Sequence, residues 1–187
     1  MRGRLILVTG GSGSGKSAFA ERTLLSQGEG RPVYLATMTR GDEESLRRIA
    51  RHRAMRQRHG AAAGKTFVTV ERPVDIGGAA VEPGDCVLLE DLGNLLSNEI
   101  WSPGGAGGGA EEAILAGIDA LLDRAALLVV VSNEIFSDGE TWTGDMARYV
   151  RGLGRLHRAL AAWAETVVEV VCGIPIYQKE GGPAPEG

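Results

Sequence analysis

The chain has 187 residues, is 43% hydrophobic, and carries a formal net charge of −4 with a pI near 5.5. That length suits one domain, and the acidic balance argues against nucleic-acid binding through a broad basic surface. No apolar run reaches membrane-spanning length, and Met1-Arg2-Gly3-Arg4 runs straight into a strand-like segment rather than a cleavable leader, so a cytoplasmic protein is expected.

Leu5-Ile6-Leu7-Val8-Thr9 reads as a first strand, and Gly10-Gly11-Ser12-Gly13-Ser14-Gly15-Lys16-Ser17 follows it as G-x-x-x-x-G-K-S. In that motif glycines let successive backbone N–H groups converge on phosphates. Lys16 reaches the β/γ oxygens, and the Ser17 hydroxyl can ligate Mg²⁺. The helix-forming run from Ala18 to Leu25 comes next, so the phosphates would lie at a helix N-terminus. A second strand spans Pro32 to Thr37. The segment from about Asp42 to Arg56 reads as a helix with an acidic start and a basic end. Leu46, Ile49, Ala50 and Arg53 share one side of it, and His52 stands at the border of the packed and solvated faces. On residues alone, this is either a solvated amphipathic helix or one that presents a held, reachable histidine. His59 falls seven positions later, on a similar face if the helix continues, and is the rival to His52.

Thr66 to Glu71 reads as a third strand. Cys86 to Glu90 and Leu127 to Ser132 are near-continuous apolar runs, as in parallel strands buried on both faces. Glu90 either caps the following helix or serves a metal or nucleotide, with Asp91 as the competing acid. Pro103 to Gly109 reads as a flexible surface loop. Ile114, Leu115, Ile118, Leu121 and Leu122 mark a covering helix. Ser132-Asn133-Glu134 should emerge near the site, there either to position a substrate or metal-bound water, or merely to bond the loop before Ser137-Asp138-Gly139. Trp142 is expected in a core or subunit contact. Met146, Tyr149, Val150, Leu153, Leu160 and Ala164 mark a longer helix, within which His157 packs, and Thr166 to Val171 makes a last strand. Cys86 and Cys172, both in apolar strand-like runs, are expected as buried reduced thiols. Residues 1–180 form a single domain in this reading, and 181–187 a disordered tail.

Taken together, these segments resemble the bifunctional adenosylcobinamide kinase / adenosylcobinamide-phosphate guanylyltransferases of cobalamin biosynthesis. The resemblance rests on the order and spacing of Leu7 to Gly11, Tyr34 to Thr37, Arg48-Ile49 with His52-Arg53, and Thr69 to Pro73. It continues through Leu88 to Leu92, Asn94 to Leu96, Asn98-Glu99, Ser132 to Glu134, Gly152 to Leu156 and Gly173 to Ile176. It implies an α/β fold, a three-layer P-loop NTPase (RecA-like) domain with a mostly parallel sheet. It also implies phosphorylation of adenosylcobinamide by ATP or GTP, then transfer of GMP from GTP to that phosphate, with Mg²⁺ required and a homotrimer sharing the corrinoid site. The family's guanylylated histidine matches His52, and Lys16 is the other catalytic position. Arg51, Arg53 and Arg56 would offset phosphate charge and tend to keep His52 deprotonated. Thr37, Met38, Thr39, Arg53, Ala54, Met55, Arg56, Glu71 and Glu90 match nucleotide-site positions beside Gly10 to Ser17. Ser17 and Glu90 (or Asp91) match the metal site. Two departures stand out: Gln57 to Lys65 lacks the family's usual turn and tryptophan, and His157 stands where asparagine is common. A simple P-loop kinase and a nucleotide-sensing module are the alternatives, and neither would form a covalent histidine.

Overall fold

The computed structural model describes residues 2–39, 43–136 and 141–181. Asp42, Ser137-Asp138-Gly139 and the tail past Gly181 lie outside the described residues, as do the side chains of Leu46 and Ile49. Seven strands form one sheet: β1 (Arg4–Gly10), β2 (Pro32–Ala36), β3 (Val68–Glu71), β4 (Cys86–Glu90), β5 (Leu127–Asn133), β6 (Thr166–Val171) and β7 (Ile174–Lys179). Their order is β3-β2-β4-β5-β1-β6-β7, and every neighbouring pair is parallel except β6 and β7.

Because side chains alternate along a strand, each apolar run serves two cores. Leu5, Leu7, Leu35, Leu89 and Val130 face one side, where α3 (Leu92–Trp101), α4 (Ala110–Leu122) and α5 (Gly144–Trp163) cover them through Leu95, Leu96, Ile114, Ile118, Leu153 and Leu160. Ile6, Val8, Tyr34, Leu88, Val129 and Val131 face the other side, under α1 (Lys16–Gln27) with Ala20 and Leu24. The helix α2 (Glu43–Ala62) lies on that second side, with Arg56 over Tyr34. This is the expected three-layer arrangement. Ile118 and Leu96 are fully buried, and cutting either to Ala would cost about 2–5 kcal/mol.

Four local expectations are corrected. The chain adds β7, which pairs antiparallel with β6; its Pro175 reads as a strand breaker but is tolerated because β7 is an edge. Cys172 is exposed in the turn between those strands, at φ 49°, so only Cys86 is buried. The glycine-rich stretch closes on itself: buried Glu99 accepts the Ala106 N–H at 2.9 Å, and Gly107–Gly109 forms a 3-10 turn. Met146 is exposed, because Ala147 takes the inward position in the first turn of α5.

Candidate active site

Since β1, β2, β4 and β5 run parallel, their C-terminal ends open on one edge of the sheet, where open α/β folds bind ligands. The loop from Gly10 to Ser17 leaves β1 there. A Cβ at Gly10 would lie 2.6 Å from both Ser14 Oγ and the Val170 carbonyl oxygen, and Gly15 takes φ 92° as it starts α1, so both positions demand glycine. Gly11, Ser12 and Gly13 are exposed on the loop. Lys16 is buried and donates from Nζ to the Gly11 carbonyl at 3.1 Å. The β6–β7 turn braces the loop from behind, with the Gly173 N–H donating to the Ser14 carbonyl at 2.8 Å.

Ser17, in the first turn of α1, donates through Oγ to Glu90 Oε1 at the end of β4. Asp91 does different work. Its Oδ1 accepts the Asn94 N–H at 2.7 Å and its Oδ2 the Asn94 amide at 2.9 Å, capping α3. The capping role considered for Glu90 thus falls to its neighbour. Thr37 is an internal tie rather than a lining residue: its hydroxyl donates to the Asp91 carbonyl and accepts the Asp91 N–H, both at 2.8 Å, while Asn98 holds its carbonyl at 2.7 Å.

Across from Glu90, His52 Nδ1 of α2 stands 3.6 Å from the same Oε1. The charge placed against this nitrogen is acidic; the expected basic surround is thinner, since Arg51 and Arg53 are exposed. Arg56 is the arginine drawn inward. It is 5% exposed, its guanidinium lies 3.4 Å from the Tyr34 ring centroid, and its Nη1 has no hydrogen-bond partner among the described residues. Ala50 and Arg53, expected on the packed side of α2, are exposed; the helix turns His52, Arg56, His59 and Gly60 toward the body instead. Among the described side chains of this arginine-rich helix, the groups turned inward are mostly polar, so it docks there through Arg56 and His59.

These elements enclose a cleft lined by Tyr34, Ala36, Met38, His52, Arg53, Arg56, Thr69, Glu71, Glu90, Asp91 and Asn94. Of the expected residues it unites Met38, His52, Arg53, Arg56, Glu71 and Glu90. Thr37, Thr39, Ala54 and Met55 do not line it, and neither do Gly10 to Ser17, which reach it only through the Ser17 contact with Glu90. Tyr34, Thr69 and Asn94 were legible only as strand or motif residues, and nothing in their spacing marks them as lining.

Glu21, His59 and His157 lie outside the cleft lining. Glu21, on α1 and fully buried, has its carboxylate 2.5 Å from His59 Nδ1. Burial, and then the charge of Glu90, push the Glu21 pKa up to about 8 against the pull of Arg56 and Arg22. Burial and Arg22 move His59 downward. His59, the rival to His52, is therefore tied to Glu21. On the other side of the sheet His157 Nε2 lies 2.7 Å from Ser132 Oγ and its ring meets Phe136 edge-on, so it packs as expected, and burial lowers its pKa to about 4. Glu134 accepts the Phe136 N–H at 2.7 Å, the local loop-bonding alternative, and Trp142 is half-buried.

The sequence model of the family described as cobinamide kinase / cobinamide phosphate guanyltransferase matches residues 6–177. The chain belongs to this family. Among its relatives, it is 35% identical over 178 residues to the bifunctional adenosylcobalamin biosynthesis protein CobP of Pseudomonas aeruginosa, covering 92% of this chain and 96% of that protein. It is 34% identical over 190 residues to CobU of Escherichia coli K12, described in the same words, covering 94% of this chain and 99% of that one. Among solved structures, a KaiC-like protein of Pyrococcus horikoshii matches with a TM-score of 0.50 at 15% identity, over 90% of this chain and 71% of its own, a likeness of fold alone. Among the described residues no helix is long and apolar enough to cross a membrane, and no three His, Cys, Asp or Glu side chains gather as a metal cluster.

Proposed function

We propose that this chain phosphorylates adenosylcobinamide with ATP or GTP, then passes GMP from GTP to the new phosphate through a guanylyl-histidine at His52. One observation carries the reading: Ser17 of the phosphate loop and His52 of α2 converge on a single carboxylate oxygen, Glu90 Oε1. Phosphate binding and a nucleophile thereby meet in one centre.

In the first step a hydroxyl of the corrinoid's aminopropanol arm attacks the γ-phosphorus and gives up its proton to solvent, the bond to the β–γ bridging oxygen breaks, and a nucleoside diphosphate leaves. Lys16 and the loop N–H groups offset the charge that gathers on the leaving oxygen. In the second step a ring nitrogen of His52 attacks the α-phosphorus of GTP and pyrophosphate departs. An oxygen of the cobinamide phosphate then attacks that phosphorus, and the imidazole leaves with its electron pair. With Glu90 set against Nδ1, a proton is favoured there and the Nε2 lone pair is left to attack. Arg56, buried with an unpartnered N–H, would meet a phosphate oxygen. Glu71, Thr69 and Met38 lie toward the outer strand β3 and would line the nucleoside end.

The hydroxyl of Ser17 and the carboxylate of Glu90 are hard oxygen donors brought together beside the loop, a set that suits Mg²⁺. Both Asp91 oxygens serve the α3 cap, so Glu90 is the acid that would hold the ion. Bound there, Mg²⁺ supplies neutralisation of phosphate charge.

Incubation with Mg²⁺ and GTP labelled at the α-phosphate tests the reading. Retained label that is acid-labile, base-stable and absent from His52→Ala is expected. Wild type that retains no label while transferring γ-phosphate to cobinamide would reduce the protein to a simple kinase.

A further inference from the structure

The described side chains of the helix that carries His52 offer little apolar surface to the body. Among its described side chains Arg47, Ala50, Arg51, Arg53, Ala54, Gln57 and Arg58 are exposed, and Met55 is the one sizeable apolar group turned partly inward. Among the described side chains, α2 meets the body through polar groups: His52 toward Glu90, Arg56 over Tyr34, and His59 against Glu21.

The last of these contacts is the shortest and the deepest. Glu21 is wholly buried, a costly place for a carboxyl group, and its Oε2 stands 2.5 Å from His59 Nδ1. Glu21 follows Ser17 by four residues on α1, so both project from the same face of that helix one turn apart. Ser17 bonds Glu90, which faces His52; Glu21 bonds His59. His52 and His59 are seven residues apart, two turns or ~10.5 Å along α2. The phosphate-loop helix thus grips α2 at two points, directly at His59 and through Glu90 at His52. The chain follows α2 with a fixed turn, in which the Gly60 carbonyl accepts the Lys65 N–H at 2.9 Å, and a Cβ on Gly60 would meet the Lys65 carbonyl at 2.5 Å. The His59 end is therefore anchored, and rotation or sliding of α2 about it would carry His52 away from the phosphate loop.

We propose that Glu21 and His59 form a clamp that sets the distance from the phosphate loop to His52, making both positioning residues for the guanylyl-transfer step. The inference rests on His52 being the nucleophile. Neither Glu21 nor His59 lines the cleft. The clamp acts through the placement of α2, so the phosphoryl-transfer step, which uses Lys16, Ser17 and Glu90, does not depend on it to the same degree.

The test compares wild type, His59→Ala and His59→Asn, the last of which keeps a polar atom where Nδ1 stood. For each, single-turnover incorporation of label from α-labelled GTP, transfer of γ-phosphate to cobinamide, and the midpoint of thermal unfolding are measured. The clamp predicts that His59→Ala slows label incorporation at least tenfold while γ-phosphate transfer stays within about twofold, and that His59→Asn restores most of the lost rate. Equal loss of both activities alongside a lowered midpoint would reduce the pair to fold support and overturn the inference. So would unchanged incorporation in His59→Ala. A wild type that takes up no label overturns the histidine reading itself and the clamp with it, whereas label present in wild type and unaltered in the variant overturns the clamp alone.

Discussion

Replacing Arg56 by Met separates what this residue does for the fold from what it does for a ligand. Its guanidinium lies 3.4 Å from the centroid of the Tyr34 ring, and its Nη1 is buried without a hydrogen-bond partner among the described residues. A desolvated cation over an aromatic face stabilises by about 2 kcal/mol. A buried donor left unpaired costs about 1–3 kcal/mol. The two nearly cancel, and Met keeps an unbranched stem across the ring. A domain of this size shifts its Tm by roughly 2–4 °C per kcal/mol, so Arg56→Met should move the midpoint by no more than about 4 °C. A phosphate oxygen that pairs with Nη1 instead gains a charge-assisted hydrogen bond of about 1.5–3 kcal/mol. Its loss weakens GTP binding about 10- to 150-fold. Calorimetric titration with Mg²⁺ and GTP, beside thermal unfolding of both proteins, measures the two quantities. An unchanged affinity with a Tm lowered by more than about 10 °C would mean that the arginine serves the fold, and the phosphate assignment would fail.

The neighbouring acids should separate in the same manner. Glu90→Gln is expected to lower turnover about 100-fold with little change in Tm. Asp91→Ala, which strips the cap from α3, should lower stability by about 1 kcal/mol or somewhat more while activity stays within a few-fold; exchanged phenotypes would reverse the assignment of the metal acid. His157 gives a pH signature. The unfolded chain takes up its proton near pH 6.5 while the folded protein stays neutral until about 4, so stability is complete above the higher value and is lost as pH falls toward the lower. Urea unfolding at pH 7 and pH 4.5 should show wild type losing roughly 2 kcal/mol more than His157→Asn, and parallel losses would mean that His157 is not the titrating group.

Where local chemistry decides structure, the chain could be read directly. The apolar runs of β1, β4 and β5 mark buried parallel strands, and the phosphate loop follows from its glycines, Lys16 and Ser17. β7 was hidden because Pro175 interrupts the strand signal of the short Ile174–Lys179 segment, and only its place at the sheet edge makes that proline acceptable. The orientation of α2 was hidden for a deeper reason. Periodicity locates a packed face by its apolar residues, yet this helix presents Arg56 and His59 inward because their partners, Tyr34 and Glu21, come from other parts of the chain. The same holds for Asp91 and Glu90: adjacent in sequence, they differ only through what the fold sets beside each oxygen.

The order of the strands explains why residues 17, 52 and 90 meet at all. β5 lies between β1 and β4, so the loop strand and the Glu90 strand are two spacings apart, ~10 Å. Ser17 cannot bridge that gap from the end of β1. It does so from the first turn of α1, which packs across β5 and β4 and carries the hydroxyl over the intervening strand to Glu90. Glu90 pairs in register with Val131 of β5, and Val131 with Val8 of β1, so the spacing is held by a fully buried apolar residue rather than by the polar groups themselves. His52 then needs only to be brought to the far side of Glu90, and α2 supplies it from above the β2 side of the sheet. The rigid half of the centre is thus built from the hydrophobic core and the adjustable half from polar contacts. Substitutions in β5 should therefore affect phosphoryl and guanylyl transfer alike, and substitutions on α2 should separate them.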